Sequence, residues 1–355
     1  MKEALVSKGT QVQIVDSPIP TPNEDQVLIK VIASGSNPKD WKYPDIFDNN
    51  INQGDDIAGI VEKVGANVFE FKPGDRVAAF HEMRTAAGSF AEYAIAWQHT
   101  TFHIPASTTF EEAATIPLAA MTAAVALYLS LGLPQPWSPT AQKPTPTTPT
   151  PLIIYGAATA VGVYAIQLAQ RSNIHPLLCV AGRACDYVSS LLDSSRGDAV
   201  IDYREGDEAV VAGLVGALQK QGLQAAHVLD AVSEGSSVAN LVEVLKKAGR
   251  KGKDGKVLEG VKVTGLLGRK EGWPEGAEQR ATLVADVHGE AKDFGYVYFR
   301  YFARGLQEGW FKGQRTEVVP GGLGGIQDGL RKLKEGKASG LKYVFRIGET
   351  EGVER

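Results

Sequence analysis

Residues 151–187 read PLIIYGAATAVGVYAIQLAQRSNIHPLLCVAGRACDY. An apolar run, LIIYG, meets a string of small residues, and an alanine-rich stretch with helical spacing follows. A strand turning tightly into a helix presents the helix N-terminus, whose unpaired amides and dipole favour an anion. Phosphates approach such a backbone only where side chains are small. Set against the dinucleotide pattern G-x-G-x-x-G, the three glycine positions hold Ala157, Thr159 and Gly162. Gly162 keeps the glycine that lets helix and strand pack closely. Thr159 stands where a pyrophosphate comes nearest. Its hydroxyl can donate to a phosphate oxygen, and its bulk can equally push a ligand outward. Alone, the turn fits a dinucleotide cradle or an ordinary strand-to-helix turn. A proline-bounded strand before it and an amphipathic helix after it favour the cradle. The expected pyrophosphate contacts are Thr159, Ala160, Val161 and Gly162.

The second strand, PLLCVAGR, ends in Gly182 and Arg183 rather than in a carboxylate. A carboxylate there would repel a 2′-phosphate, whereas a guanidinium grips one with paired donors. The expected cofactor is therefore NADPH rather than NADH. The plain alternative is that Arg183 is a surface charge.

Outward from this turn, strand-like and helix-like segments alternate to about residue 270, as expected of a parallel sheet with helices on both faces. Candidate strands are LIIYG, PLLCVAG, AVIDY, AHVLDAV and VKVTGLLG; candidate helices cover 161–171, 185–195, 207–221 and 235–248. Residues 1–105 read as β-rich, with helical spacing at 110–131. The segment 134–151 is too proline-dense for helix or central strand and reads as an exposed loop. The tail after 300 reads as helix, strand, turn, helix, strand. Phe294, Tyr298, Tyr301 and Phe302 recur at helical spacing, as in a helix packing an apolar face on the core or lining a substrate tunnel.

A chain of 355 residues suggests two domains. With 43% hydrophobic and 22% charged residues and a formal charge of −4, the composition is that of a soluble protein without a basic stripe for nucleic acid. No signal-like start and no membrane-spanning run were apparent, so a cytoplasmic protein is expected, with Cys179 and Cys185 as reduced thiols.

Several stretches, in order, resemble the medium-chain dehydrogenase/reductase superfamily in its zinc-independent, quinone-reductase-like branch. They are ASGSNPKDWK, GDDIAGIVEKVGANVFEFKPGDRV, GSFAEYAIA, AVIDYRE and GGLGGIQDGLRKLKEGKASGLKYVFRI. The order N-P-x-D-x-K at 37–42 and the turn GAATAVG are most similar to the stand-alone enoyl reductases that act in trans on polyketide synthases. The resemblance implies an α/β fold. A GroES-like, partly β-barrel catalytic domain would come from 1–125 and 300–355, and a Rossmann NADPH-binding domain from 126–299, with the active site in the cleft. Zinc-dependent relatives carry a cysteine near Asn37 and Gly-His-Glu near 54–56. Here the residues are Ser36-Asn37 and Gly54-Asp55-Asp56, so a catalytic zinc is disfavoured and no metal is expected. His81 and Glu82 read as a solvated loop pair.

The activity implied is hydride transfer from NADPH to the β-carbon of an α,β-unsaturated carbonyl compound or enoyl thioester, free or carrier-bound. The alternatives are an NADPH quinone reductase and a non-catalytic NADPH-binding module. Lys42, at the lysine of N-P-x-D-x-K, is the candidate acid or oxyanion stabiliser, or else a lysine reaching solvent beside Trp41. Asn37 and Asp40 would order the loop through side-chain-to-backbone bonds and border the nicotinamide. Asp40 is also a candidate base, Tyr43 an alternative proton donor, and Thr122 a nicotinamide contact or a core residue. Tyr203 would help Arg183 hold the 2′-phosphate. Ser233, Leu267 and Gly268 would border the nicotinamide ribose. Monomer and homodimer both remain open.

Overall fold

β-branched runs broken by turn residues give the first third of the chain its strands. The computed structural model describes residues 1–139, 141–142, 149–253, 255, 258–268 and 270–353. In chain order its first strands are β1 (Lys2–Ser7), β2 (Gln11–Asp16) and β3 (Gln26–Gly35). Helix α1 (Lys39–Phe47) precedes β4 (Asp56–Val64), β5 (Arg76–Phe80), β6 (Tyr93–Trp97) and β7 (Thr101–His103). The helical segments α2 (Phe110–Ala113) and α3 (Pro117–Ala124) follow, and α3 runs into a π-helical turn, Val125–Ser130.

The alternating segment comes next: β8 (Leu152–Tyr155), α4 (Ala160–Arg171), β9 (Leu177–Ala181), α5 (Cys185–Leu191), β10 (Ala199–Asp202), α6 (Asp207–Lys220), β11 (His227–Asp230), α7 (Ser237–Ala248), β12 (Val261–Gly265) and β13 (Ala277–Ala281). The chain closes with α8 (Lys292–Glu308), β14 (Thr316–Val318), α9 (Ile326–Lys334) and β15 (Lys342–Arg346).

The chain divides into two compact units, 1–121 with 284–355, and 122–283. The sequence reading drew the later join at 299/300, inside α8; the compact unit takes in all of α8. In the first unit a seven-stranded sheet runs β14-β15-β3-β4-β5-β7, with β6 also paired to β3, and β1-β2 form a separate hairpin. Val31, Ile57, Phe90, Leu330 and Phe345 are among its fully enclosed apolar residues. On α8, Tyr298, Phe299 and Phe302 are completely buried. Phe299, within the same aromatic stretch but not among the four residues named at helical spacing, stacks on Phe102 with ring centroids 5.5 Å apart.

The second unit is a six-stranded parallel sheet of order β10-β9-β8-β11-β12-β13. Chain progression runs one way from β8 and the other way from β11, so these neighbours form the topological switch point at which α/β sheets bind ligands. Its core is built from residues such as Ile153, Val180, Leu214, Val228, Leu245 and Val263.

One expectation changes. Phe110–Ser130 is long and apolar enough to pass as a membrane span, and 89% of its apolar window is buried inside the protein. It is apolar over most of its surface because most of it is enclosed, Leu129 being its exposed large apolar side chain. The proline-rich 134–151 segment holds no helix or strand among its described residues; residues 140 and 143–148 lie outside them.

Candidate active site

In the second unit the turn after β8 is half-exposed, and α4 starts there with Thr159 as N-cap. The Thr159 hydroxyl accepts from the Gly162 amide at 3.0 Å, satisfying one of the orphan donors of the first turn. Its acceptor lone pair is thereby engaged, and its hydroxyl proton stays available to an anion. Ala160 and Val161 are the first helical residues and carry side chains too small to cover the helix end. At Gly162 a Cβ would lie 2.4 Å from the Gly156 carbonyl oxygen, so only glycine allows α4 this close to its strand. These residues fit a pyrophosphate.

At the ends of the neighbouring strands, β9 and β10 pair in register with Asp202 opposite Ala181. This brings Gly182 beneath Tyr203: a Cβ on Gly182 would sit 2.6 Å from the tyrosine ring. Exposed Arg183 follows Gly182, so Arg183 and Tyr203 share one edge of the sheet. Arg204 points elsewhere, its guanidinium holding both oxygens of Asp202 and keeping that carboxyl down at about 2. Ser233 is buried with φ 55°. Its hydroxyl donates to Asp230 O at 3.1 Å and accepts from Leu266 N at 3.1 Å, tying the β11 and β12 loops together. Leu267 and Gly268 lie beyond that tie, Leu267 exposed and Gly268 with φ 72°. Thr122 is buried within α3.

The first unit assembles the candidate catalytic residues around α1. Pro38 sets the helix entry, with φ −56°. Asp40 Oδ2 accepts from the Asn37 amide at 2.7 Å, closing the turn before the helix. The Asn37 side chain bonds side chains rather than backbone. Its Nδ2 donates to Asp56 Oδ2 at 2.6 Å, and its Oδ1 accepts from Lys342 Nζ at 3.0 Å. Lys342 also pairs with Asp56 at 2.5 Å, and Asp56 Oδ1 accepts from Leu118 N at 2.7 Å. All three side chains are buried, so this is an enclosed ion pair with its lone pairs satisfied.

A second charged group adjoins it. Lys39 Nζ donates to the Gln53 carbonyl and forms ion pairs with Asp55 and, at 3.1 Å, with Asp40 Oδ1. Asp55 Oδ1 lies 3.1 Å from His81 Nδ1. Burial pushes the Asp40 carboxyl up to about 7, with nearby Asp55 adding to the rise and the Lys39 ammonium opposing it. Burial also raises Asp55, but Lys39 and His81 outweigh it and hold that carboxyl below its usual range. For Lys39 burial works against the charge, and the two carboxylates more than restore it. His81 is thus no solvated loop residue; it is 2% exposed and hydrogen-bonded at both nitrogens.

On the same helix, Lys42 points away from this group, while the Tyr43 ring lies under the Lys39 ammonium, 6.0 Å from its centre. Lys42 Nζ lies over the Trp41 ring, 5.4 Å from its centre, and the half-buried Tyr43 packs edge-on against Phe47. Sequence reasoning passed over Lys39 and Lys342, and it named Asp55, Asp56 and His81 without giving them a part in this cluster. Only two signals were visible: adjacent acids leading into the apolar strand DIAGIV, and a lysine opening KYVFR, where it is enclosed with Val344. Among the described residues no three or more His, Cys, Asp and Glu side chains cluster to hold a metal.

Residues 23–106 match the alcohol dehydrogenase GroES-like domain. The trans-enoyl reductase fsr4 of Gibberella fujikuroi is 46% identical over 323 residues, covering 90% of this chain and 91% of that protein. The trans-enoyl reductase resD of Aspergillus sclerotiorum is 32% identical, covering 97% of this chain and all of that one. Among solved structures, the CurK enoyl reductase superposes with a TM-score of 0.72 at 18% identity, covering 97% of this chain and 98% of that chain, a likeness of fold.

Proposed function

The chain belongs to the trans-enoyl reductases of the medium-chain dehydrogenase/reductase family, and from that premise we propose that it is an NADPH-dependent, zinc-independent reductase of an α,β-unsaturated carbonyl compound or enoyl thioester. The observation that carries the reading is the α4 N-terminus, half-exposed beside the β8/β11 switch point and narrowed to small residues. NADPH, when bound, supplies the hydride. The Thr159–Gly162 turn would hold the pyrophosphate, and Arg183 with Tyr203 the 2′-phosphate. Ser233, Leu267 and Gly268 would border the ribose, and Thr122 the nicotinamide amide.

Hydride addition at the β-carbon places negative charge on the carbonyl oxygen, and a donor near that oxygen lowers the barrier. Lys42 and Tyr43 are the donors offered by the exposed side of α1. Asn37, locked by Asp56 and Lys342, keeps the start of α1 fixed. The zinc-independent reading is supported by Asp55, whose carboxylate is taken up by Lys39 and His81. A soluble, cytoplasmic protein acting on a free or carrier-bound enoyl substrate, as monomer or homodimer, completes the proposal.

Calorimetry with NADPH and NADH tests the cofactor: NADPH should bind at least tenfold tighter, and Arg183→Ala should remove most of that preference. Steady-state oxidation of NADPH should proceed with enoyl thioesters or enones and fall well below that with quinones. Equal affinity for the two dinucleotides, or turnover with quinones alone, overturns the proposal.

A further inference from the structure

Enoyl reduction adds a hydride at the β-carbon and a proton at the α-carbon, so each turnover draws one proton from water. In the first unit a buried carboxyl is joined to a surface cavity by an unbroken series of polar contacts. Asp40 is fully buried, and its Oδ1 makes no hydrogen bond, only the 3.1 Å ion pair with Lys39. Lys39 pairs with Asp55, and Asp55 Oδ1 meets His81 Nδ1 at 3.1 Å. His81 Nε2 lies 2.9 Å from Ala86 O and 3.2 Å from Thr85 Oγ1. Thr85 spends its own proton on Glu82 O at 2.8 Å, so every oxygen around the imidazole can act as an acceptor. His81, exposed Thr85 and Ala86, and Trp97 line a cavity of about 360 Å³.

Charge balance fixes how many protons this group holds. It contains one ammonium, two carboxyls and one imidazole, all nearly shut off from water. An isolated net charge is costly in such a place. Neutrality requires one proton beyond those of the ammonium, and the geometry offers it two seats. One is His81, where both ring nitrogens face acceptors; the other is Asp40 Oδ1, at the inner end. Other ionisable groups facing this cluster are Tyr43, whose ring lies 6.0 Å from Lys39 Nζ, Glu82, which takes the Trp97 indole proton at 2.7 Å, and His288, which feels Asp55, His81 and Glu82. The Asp56–Lys342 pair behind Asn37 is already balanced.

We propose that His81, Asp55, Lys39 and Asp40 form a proton relay that carries the proton consumed by enoyl reduction from the cavity to the inner carboxyl of α1. The relay rests on the enoyl-reductase reading given above. When Asp40 releases its proton toward the reacting carbon it becomes a carboxylate. The Lys39 ammonium then gives it one proton, while the ionised Asp55 takes one from His81 Nδ1 and passes it on to Lys39, and His81 gains one at Nε2 from water in the cavity. One proton enters, one leaves, and no electrons move. Lys39, Asp55 and His81 act through Asp40 and are positioning residues.

The test is NMR of the full chain with ¹³C-labelled aspartate side chains, titrated across neutral pH. The Asp40 curve should depart from a single sigmoid, as for a carboxyl sharing its proton with a second seat. In His81→Gln the group loses its second seat for the shared proton, so the pH at which Asp40 ionises should rise by about one pH unit or more. A single sigmoid for Asp40 in the wild-type chain overturns the relay even if a variant fails to fold. Enoyl reduction by His81→Gln should slow at least tenfold, with a larger solvent deuterium isotope effect and unchanged NADPH affinity. Coupled titration with unchanged turnover overturns the delivery role alone. NADPH binding without reduction of any enoyl acceptor instead overturns the functional reading, and the titration still judges the coupling.

Discussion

Two polar groups meet at the start of α1, and they are built on opposite principles. Around Asn37, one cation faces one carboxylate: Lys342, Asp56 and the asparagine amide satisfy one another. Around Lys39, one cation faces two carboxylates and a histidine, and the carboxyl of Asp40 is lifted to about 7. The first arrangement holds a loop still. The second keeps a proton in play. Burial alone does not separate them, since both lie in the interior; the charge count does.

The strongest way to break the contrast is Lys342→Met. It strands the Asp56 carboxylate in the core, and breaking a buried pair costs about 3–5 kcal/mol. Denaturant unfolding should show that loss, and adding Asp56→Leu should recover much of it. Stability no lower than wild type in the single variant would mean that the pair contributes nothing.

Next comes pH. Asp40 is raised in the folded chain above its usual value of 3.8, so the folded state binds more protons than the unfolded state between roughly pH 4 and 7. The contribution of Asp40 to stability is therefore fully present below pH 4 and is lost as pH climbs through about 7. Asp40→Asn should remove that downward slope from a melting-temperature profile, and an unchanged slope would assign it to another group.

Smaller effects are expected in the second unit, where backbone rather than charge shapes the site. Gly162→Ala forces a methyl against Gly156 O and should cost about 1–3 kcal/mol, read by thermal unfolding, with weaker NADPH binding. Thr159→Ala removes the α4 cap, worth about 1 kcal/mol, and Thr159→Ser should restore it. Arg204→Ala breaks only an exposed pair with Asp202 and should leave the melting temperature unchanged.

The contrast also explains what could be read in advance. The turn at 156–162 announced itself because its requirements are local: a strand, small residues and a helix start adjacent in sequence. Gly162 was identified correctly as the packing glycine for that reason. The alternation from 151 to 270 likewise led to a parallel sheet, since strand and helix periodicities are properties of short windows. The stretch 110–130 is long and apolar enough to pass as a membrane span although no such run stood out in the sequence, because its helical segments merge into one apolar run. His81 was misjudged because a short loop of HEMRTAA looks solvated until Asp55, 26 residues earlier, is placed beneath it.

Sequence by itself determined the family, the enoyl-reductase class and the α/β architecture, because each rests on residues close together along the chain. Only the tertiary structure decided which lysines are buried. Lys42 was marked by a motif, yet it lies over Trp41, while Lys39 and Lys342 carry the interior charge. Their partners come from strands and loops up to 305 positions away, and a buried cation persists only where the folded chain gathers enough oxygen atoms around it.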